Sequence, residues 1–268
     1  VISGCICNLD ASVLSSLRQN SNGTTDAAAT DDPVGYWADL SGLGNHAVQS
    51  VATGSRPVLK LNNQNGRPGL LFDGSNDWLT ATIAGFQSLA GVTVIQVFKA
   101  AAAAAADTGT ITYWGWGNIS NASGSFPANR ALGFGSSTGA LSGESITFNA
   151  EASGFQFGRL GSSTYSRAAN VSQMMAVSAS ASGTSISANN SAITLDLSHQ
   201  ATTSSAVGPS NIGYTVDNDL HIGAVRANGS LLASPQWTLH QHIVYNRALT
   251  ATEQTAIWNA MRGKWGIA

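Results

Sequence analysis

Two carboxylates close together on one strand can hydrolyse a glycosidic bond, one as nucleophile and the other as acid/base. This chain has three glutamates, Glu144, Glu151 and Glu253. The first two are seven residues apart, an odd spacing that sends them to opposite faces of a continuous strand. Glu253 fits the start of a helix instead. No Glu-x-Asp-x-x-Glu pattern and no Gly-x-Ser-x-Gly elbow occurs, and the serines are too numerous to single one out. The expectation is a protein that is not an enzyme, with a carboxylate pair drawn from distant segments as the way it would fail.

Other chemistry-bearing residues fall into small sets. His240 and His242 share one face of a regular strand, as two metal ligands would. Two imidazoles without an evident third ligand make a weak site, so a polar sheet face or a subunit contact is the expected role. Trp114 and Trp116 also alternate onto one face, where they would stack on a sugar or fill the core. Cys5 and Cys7 are the only cysteines. They are too close in sequence for an unstrained disulfide, so two reduced, half-buried thiols are expected, consistent with assembly in a reducing cytoplasm. An intermolecular disulfide is the alternative. Asn-x-Ser/Thr sequons at Asn22, Asn118, Asn121, Asn170, Asn189 and Asn228 occur in a chain so rich in these residues that chance produces several.

What would position these side chains is mostly strand. Of 268 residues, 43% are hydrophobic and only 10% charged, enough for a substantial core. The net charge is −2 with basic residues scattered singly, which argues against nucleic acid or an anionic membrane as partner. No run approaches the ~20 apolar residues that cross a bilayer, and the start lacks the pattern of an intact signal peptide. Short β-type runs alternate with turn signals such as Asn65-Gly66, Asp73-Gly74, Ser123-Gly124 and Asn228-Gly229. They are 69–72, 78–83, 92–98, 110–116, 145–148, 155–160, 174–179, 192–197, 220–224 and 237–245. Residues 20–32 read as an exposed loop, and the seven alanines from Ala100 to Ala106 as a strand end or one helical turn. Many strands, no clean repeat and no linker predict one all-β sandwich domain over 1–268. At the end, Thr250 and Glu253 form a capping box, and Ile257, Ala260, Met261 and Trp265 recur at helical spacing. Gly263 is a possible stop, and a helix this short needs a sheet to dock on.

Four stretches, "LDASVLSSL", "VGYWADLSGLGNHAVQ", "NGRPGLLFDGSNDWL" and "LHIGAVRANGS" with "HIVYNRALTATEQTAIWNAMRGKWGI", resemble the laminin-G-like, concanavalin A-like jelly-roll domains found in phage virion proteins and bacterial surface proteins. The resemblance implies two curved antiparallel sheets with the terminal helix near one edge. It also implies paired first and last strands, with Leu9–Ala11 near Ile243–Tyr245. Asp39, Ser41, Gly42, Gly44 and Asn45 then form a compact polar loop, Asp73 and Gly74 a turn, and Arg247 an anchor at the strand–helix corner. Where relatives often have an acidic residue before the Ile-Val-Tyr-like run, this chain has His242, so any family role of that position does not carry over.

Related domains hold calcium through rim oxygens; Asp73, Asp77, Asp217, Asn218 and Asp219 are candidates, with ordinary turn chemistry as the alternative. No other cofactor is expected. The function implied is a non-catalytic bacteriophage virion structural protein, an outer capsid or decoration component or a tail or fibre component. It would serve assembly with other virion subunits, as a homo-oligomer, or surface decoration, or attachment to a cell-surface glycan. The rival is a carbohydrate-binding module of an exported bacterial protein, extracellular or at the cell surface. A glycan hydrolase or lyase comes third.

Overall fold

The computed structural model describes residues 2–86, 89, 91–101, 111–119, 131–136, 142–150, 156–166, 170, 172–180, 183–188, 218–227, 230–233 and 236–267. In chain order the first strands are β1 (Cys5–Asp10), β2 (Leu17–Arg18), β3 (Tyr36–Trp37), β4 (Ala47–Val48), β5 (Val58–Gln64), β6 (Arg67–Phe72), β7 (Leu79–Thr82), β8 (Gly91–Ala100) and β9 (Ile111–Ile119). Then come β10 (Ala131–Ser136), β11 (Ser142–Ala150), β12 (Gln156–Ser166), β13 (Ser172–Ser180), β14 (Gly183–Ala188), β15 (Asp219–Ile222), β16 (Ala224–Ala227), β17 (Ser230–Ala233) and β18 (Trp237–Tyr245). One helix, α1 (Ala251–Trp265), ends the described chain.

The strands make two antiparallel sheets, so the chain is a β-sandwich of the expected jelly-roll kind. The first runs β14-β13-β8-β18-β6-β5, with β1 beside β18. The second runs β12-β11-β10-β9-β15-β7-β4-β3-β2, with the β16–β17 ribbon on β9. Most expected strands appear within a few residues of their predicted bounds; the run at 192–197 lies outside the described residues. The run at 220–224 is broken at Gly223. Its φ is +83°, and a Cβ there would lie 2.3 Å from the Phe72 ring. The Ala100–Ala106 stretch is described only at its start, where Ala100 ends β8.

β8 shows why the sequence reads as unbroken apolar strand. Val92, Val94 and Phe98 enter the core between the sheets, while Ile95 and Val97 join a second cluster beneath α1. With both faces covered, no polar alternation survives. The core between the sheets also holds Trp37, Phe72, Phe86 and Trp237, all fully buried.

β1 and β18 pair antiparallel as expected, with Cys5 opposite Tyr245 and Leu9 opposite His242. Asp39 braces the neighbouring loop by accepting from the Asn8 and Ser41 amides (both 2.8 Å), the Ser41 hydroxyl (2.6 Å) and the Asn45 amide (3.0 Å). Asn45 Nδ2 then donates to the Ile6 carbonyl at 2.7 Å, tying the loop to β1. Both thiols are free. Cys7 is buried and Cys5 half-buried, and burial pushes the Cys5 thiol up to about 11 and that of Cys7 well above its usual value.

The helix caps as its sequence predicts. Thr250 Oγ1 accepts from the Glu253 amide and Glu253 Oε2 from the Thr250 amide. Arg247 clamps the same carboxylate with two bonds, at 2.8 and 2.5 Å, and with the Thr250 contacts holds it down to about 2. Two details correct the sequence reading. Ala260 is exposed, and Trp258 joins Ile257, Met261 and Trp265 on the buried stripe. The helix also runs through Gly263 and stops at Gly266, which takes the left-handed conformation.

Candidate functional site

Strand alternation sorts the second sheet into two faces. Trp37, Ala47, Leu79, Ala81, Leu220 and Ile222 point into the core. Their neighbours Tyr36, Val48, Thr80, Thr82, Asp219 and His221 therefore occupy the outer face. Register sets Tyr36, Val48, Thr80 and His221 in one row, each opposite the next. At strand spacing the row is about 14 Å long. Trp78 sits one residue before β7 on the same side, its ring edge-on to His221 at 6.2 Å.

This face combines rings with hydrogen-bonding groups. Thr80 Oγ1 lies 3.0 Å from His221 Nδ1, and the Thr82 hydroxyl donates to Asp219 Oδ1 at 2.6 Å. Tyr36 packs against His46 with ring centroids 5.0 Å apart, and His46 Nδ1 accepts from the Asp39 amide. Among the tryptophans with described side chains, Trp37, Trp237, Trp258 and Trp265 are buried, while Trp78 is half-buried. His221 is itself buried (1% exposed), so the groups this face leaves to a ligand are the half-buried Trp78 indole, the Thr80 and Thr82 hydroxyls and the Asp219 carboxylate, a set that suits stacking on a sugar ring while its hydroxyls are hydrogen-bonded.

The rim at Trp78 is built by Gln49 and Asp77. Buried Gln49 donates to the Ser55 and Trp78 carbonyls (both 3.2 Å) and accepts from the Val51 and Ala52 amides, fastening one loop to the next. Val51, 79% exposed, projects at the tip of that loop. Asp77 Oδ2 accepts from the Asp73 amide at 2.9 Å, and Asp73 Oδ1 from the Ser75 and Asn76 amides. Burial, helped by the nearby Asp73 charge, pushes the Asp77 carboxyl up to about 6 against the pull of the Asp73 amide.

The sequence candidates fare unevenly. Asp73 and Asp77 share one turn, where these oxygens accept from turn amides. Asp219 pairs with Thr82 at the other end of β7, about 10 Å along the strand from Leu79. Asp217 lies outside the described residues, and no group of three or more metal-ligating side chains occurs among those described. Trp114 and Trp116 pair with Ile222 and Leu220, the inward residues of β15, so the backbone register assigns both positions to the inward face. Glu144 lies on β11 and Glu151 outside the described residues.

His240 and His242 do not share a face. Two residues of β18, His240 and Gln241, stand where β8 advances one, because Leu239 pairs with Phe98 and Gln241 with Val97. This bulge turns both His240 and Gln241 toward α1, where His240 stacks on Trp265 at 5.2 Å and Gln241 accepts from the Trp265 indole at 3.1 Å. His242, opposite Leu9 and Gln96, faces the core between the sheets. Alternation alone could not show the extra residue. The outer-face residues Trp78, Thr80 and His221 were missed for a related reason: the strand pairing that unites them is non-local.

A scan against protein-family models finds no match, and neither does a search of curated proteins. Among solved structures the fold is similar to a Trypanosoma rangeli sialidase in complex with a difluoro-KDN (TM-score 0.53, 14% identity), matched over 96% of this chain and 33% of that one. It is also similar to the binding domain of botulinum neurotoxin serotype D (TM-score 0.58, 9% identity), over 96% of this chain and 51% of that one. A structure of the serotype D ligand binding domain in complex with N-acetylneuraminic acid aligns over the same shares, with TM-score 0.56 and 10% identity. The chain thus spans about a third to a half of the length of these structures, and the likeness is one of fold.

Proposed function

We propose that this domain is a non-catalytic recognition module that binds glycan on the outer face of its second sheet. The observation that carries the reading is the half-buried outer-face row Tyr36, Val48 and Thr80, with half-buried Trp78 beside it, edge-on to the buried ring of His221. The sandwich neighbours named for binding domains, one of them holding a sialic acid, support a glycan as ligand class. Their low identity leaves the sugar itself to experiment. The finer setting we propose is the outside of a bacteriophage particle, as an outer capsid or tail component. There the same face would meet host glycans while uncharged surfaces pack against neighbouring subunits. Sequence resemblance and the sparse charge support that setting.

The test is a glycan array with the purified domain, followed by Trp78→Ala. Loss of a stacked indole is expected to weaken binding at least tenfold while circular dichroism stays unchanged. Equal binding by the variant would remove this face from the proposal, and an array without any bound glycan would remove the function. Turnover of an oligosaccharide would overturn the non-catalytic part. Absence of the protein from purified particles would overturn the phage setting and leave a carbohydrate-binding module of an exported bacterial protein.

A further inference from the structure

Helix α1 is held down by a polar network at its C-terminal end. Gln64 Nε2 donates to the Trp265 carbonyl at 2.8 Å, while Asn65 Nδ2 and Arg67 Nε donate to the Lys264 carbonyl at 3.0 and 2.9 Å. These satisfy carbonyls that a helix end leaves open. Under them lies His240, fully buried between the bulge of β18 and the Trp265 ring. The Ser172 hydroxyl donates to Gln64 Oε1 at 2.7 Å, so the 3.2 Å contact from Ser172 Oγ to His240 Nε2 requires the ring nitrogen to be the donor. Gln64 therefore links the imidazole, through Ser172, to the helix it secures. The other ring nitrogen lies over Gly69, where a Cβ would come within 2.5 Å of it.

The charges around this ring oppose a second proton. Lys99 of β8 acts on it directly, its ammonium donating to the Asn63 carbonyl at 3.4 Å. Lys264 of α1, with Arg67 of β6 nearby, is engaged by Asp10 of β1 and by Gln241. The Pro68 carbonyl favours the charged ring, more weakly than burial and Lys99 disfavour it.

We propose that α1 is an acid-released latch, kept down by the uncharged ring of His240 and freed when that ring takes up a proton. The helix yields before the sheet because the ring packs against α1, whereas β18 is bonded to strands on both sides. Release uncovers the apolar face of Ile95, Val97, Met174, Ala176, Ile243 and Tyr245. A released imidazole takes a proton near 6.5, and the docked one only near 3. Between those values the open population grows up to tenfold per pH unit.

Hydrogen exchange of the whole chain at pH 7.0 and 4.5, corrected for intrinsic rates, tests this. Protection of α1 amides is expected to fall about 100-fold, while β8 and β18 amides keep theirs. His240→Gln should hold the α1 change within about threefold, and His242→Gln, altered on the inward face, should leave the α1 change as in wild type. Joint loss of protection in α1 and β18, or an undiminished α1 response in His240→Gln, would overturn the latch. If His240→Gln does not fold, the wild-type contrast between α1 and β18 decides the matter.

Discussion

Asp77 should destabilise the folded domain at neutral pH. It is 6% exposed, and its carboxyl titrates near 6 in the folded state against 3.8 in an unfolded chain. A raised carboxyl contributes stability that is fully present below 3.8 and lost as the pH rises through 6. At 1.36 kcal/mol per pKa unit, ionising the folded group costs at most about 3 kcal/mol at pH 7.5. The adjoining Asp73–Asn76 turn is exposed, so water screens part of this and about 1.5 kcal/mol is the working figure. Asp77→Asn keeps an oxygen for the Asp73 amide and removes the charge. Urea unfolding followed by tryptophan fluorescence should then show the variant more stable by about 1–3 kcal/mol at pH 7.5. At pH 4 the two proteins should agree within about 0.5 kcal/mol. A variant less stable at pH 7.5, or a gap of equal size at both pH values, would refute the reasoning. The first result would mean that the charge-assisted bond to Asp73 outweighs desolvation.

Two shorter predictions concern packing and thiol chemistry. Gly69→Ala places a methyl 2.5 Å from His240 Nδ1 and 2.7 Å from Thr238 Cγ2, so thermal unfolding should show a loss of about 1–3 kcal/mol. Wild-type stability in that variant would mean the imidazole does not lie over the glycine. Cys5 and Cys7 should resist a thiol reagent at pH 8 in the native protein and react only in denaturant, since burial holds both as thiols. Rapid labelling of native Cys7 would contradict its burial, and rapid labelling of Cys5 its raised titration.

Much of the fold was legible because its signals are local. The capping box at Thr250 and Glu253 depends on residues three apart, and the Arg247 clamp on residues six apart. β18 was predicted with its observed bounds, Trp237–Tyr245. Its interior was misread, because a one-residue bulge leaves no mark on composition yet reverses which neighbours His240 meets. β5 went unrecognised because Lys60, Asn62 and Asn63 dilute its apolar pattern, and only pairing with β6 shows it to be a strand.

Legible from the sequence were the all-β class, the capped terminal helix and the low net charge. Each depends on residue type and short-range spacing, which the backbone reads directly. Tertiary structure alone decided which face a residue occupies. Trp114 and Trp116 follow the inward side of β15, Trp78 is half-buried on the outer face, and Asp77 and Asp219 lie beside opposite ends of β7. Cross-strand register joins segments as distant as Thr80 and His221, and side-chain alternation makes a shift of one residue exchange core for solvent. No pattern within a short window contains that information.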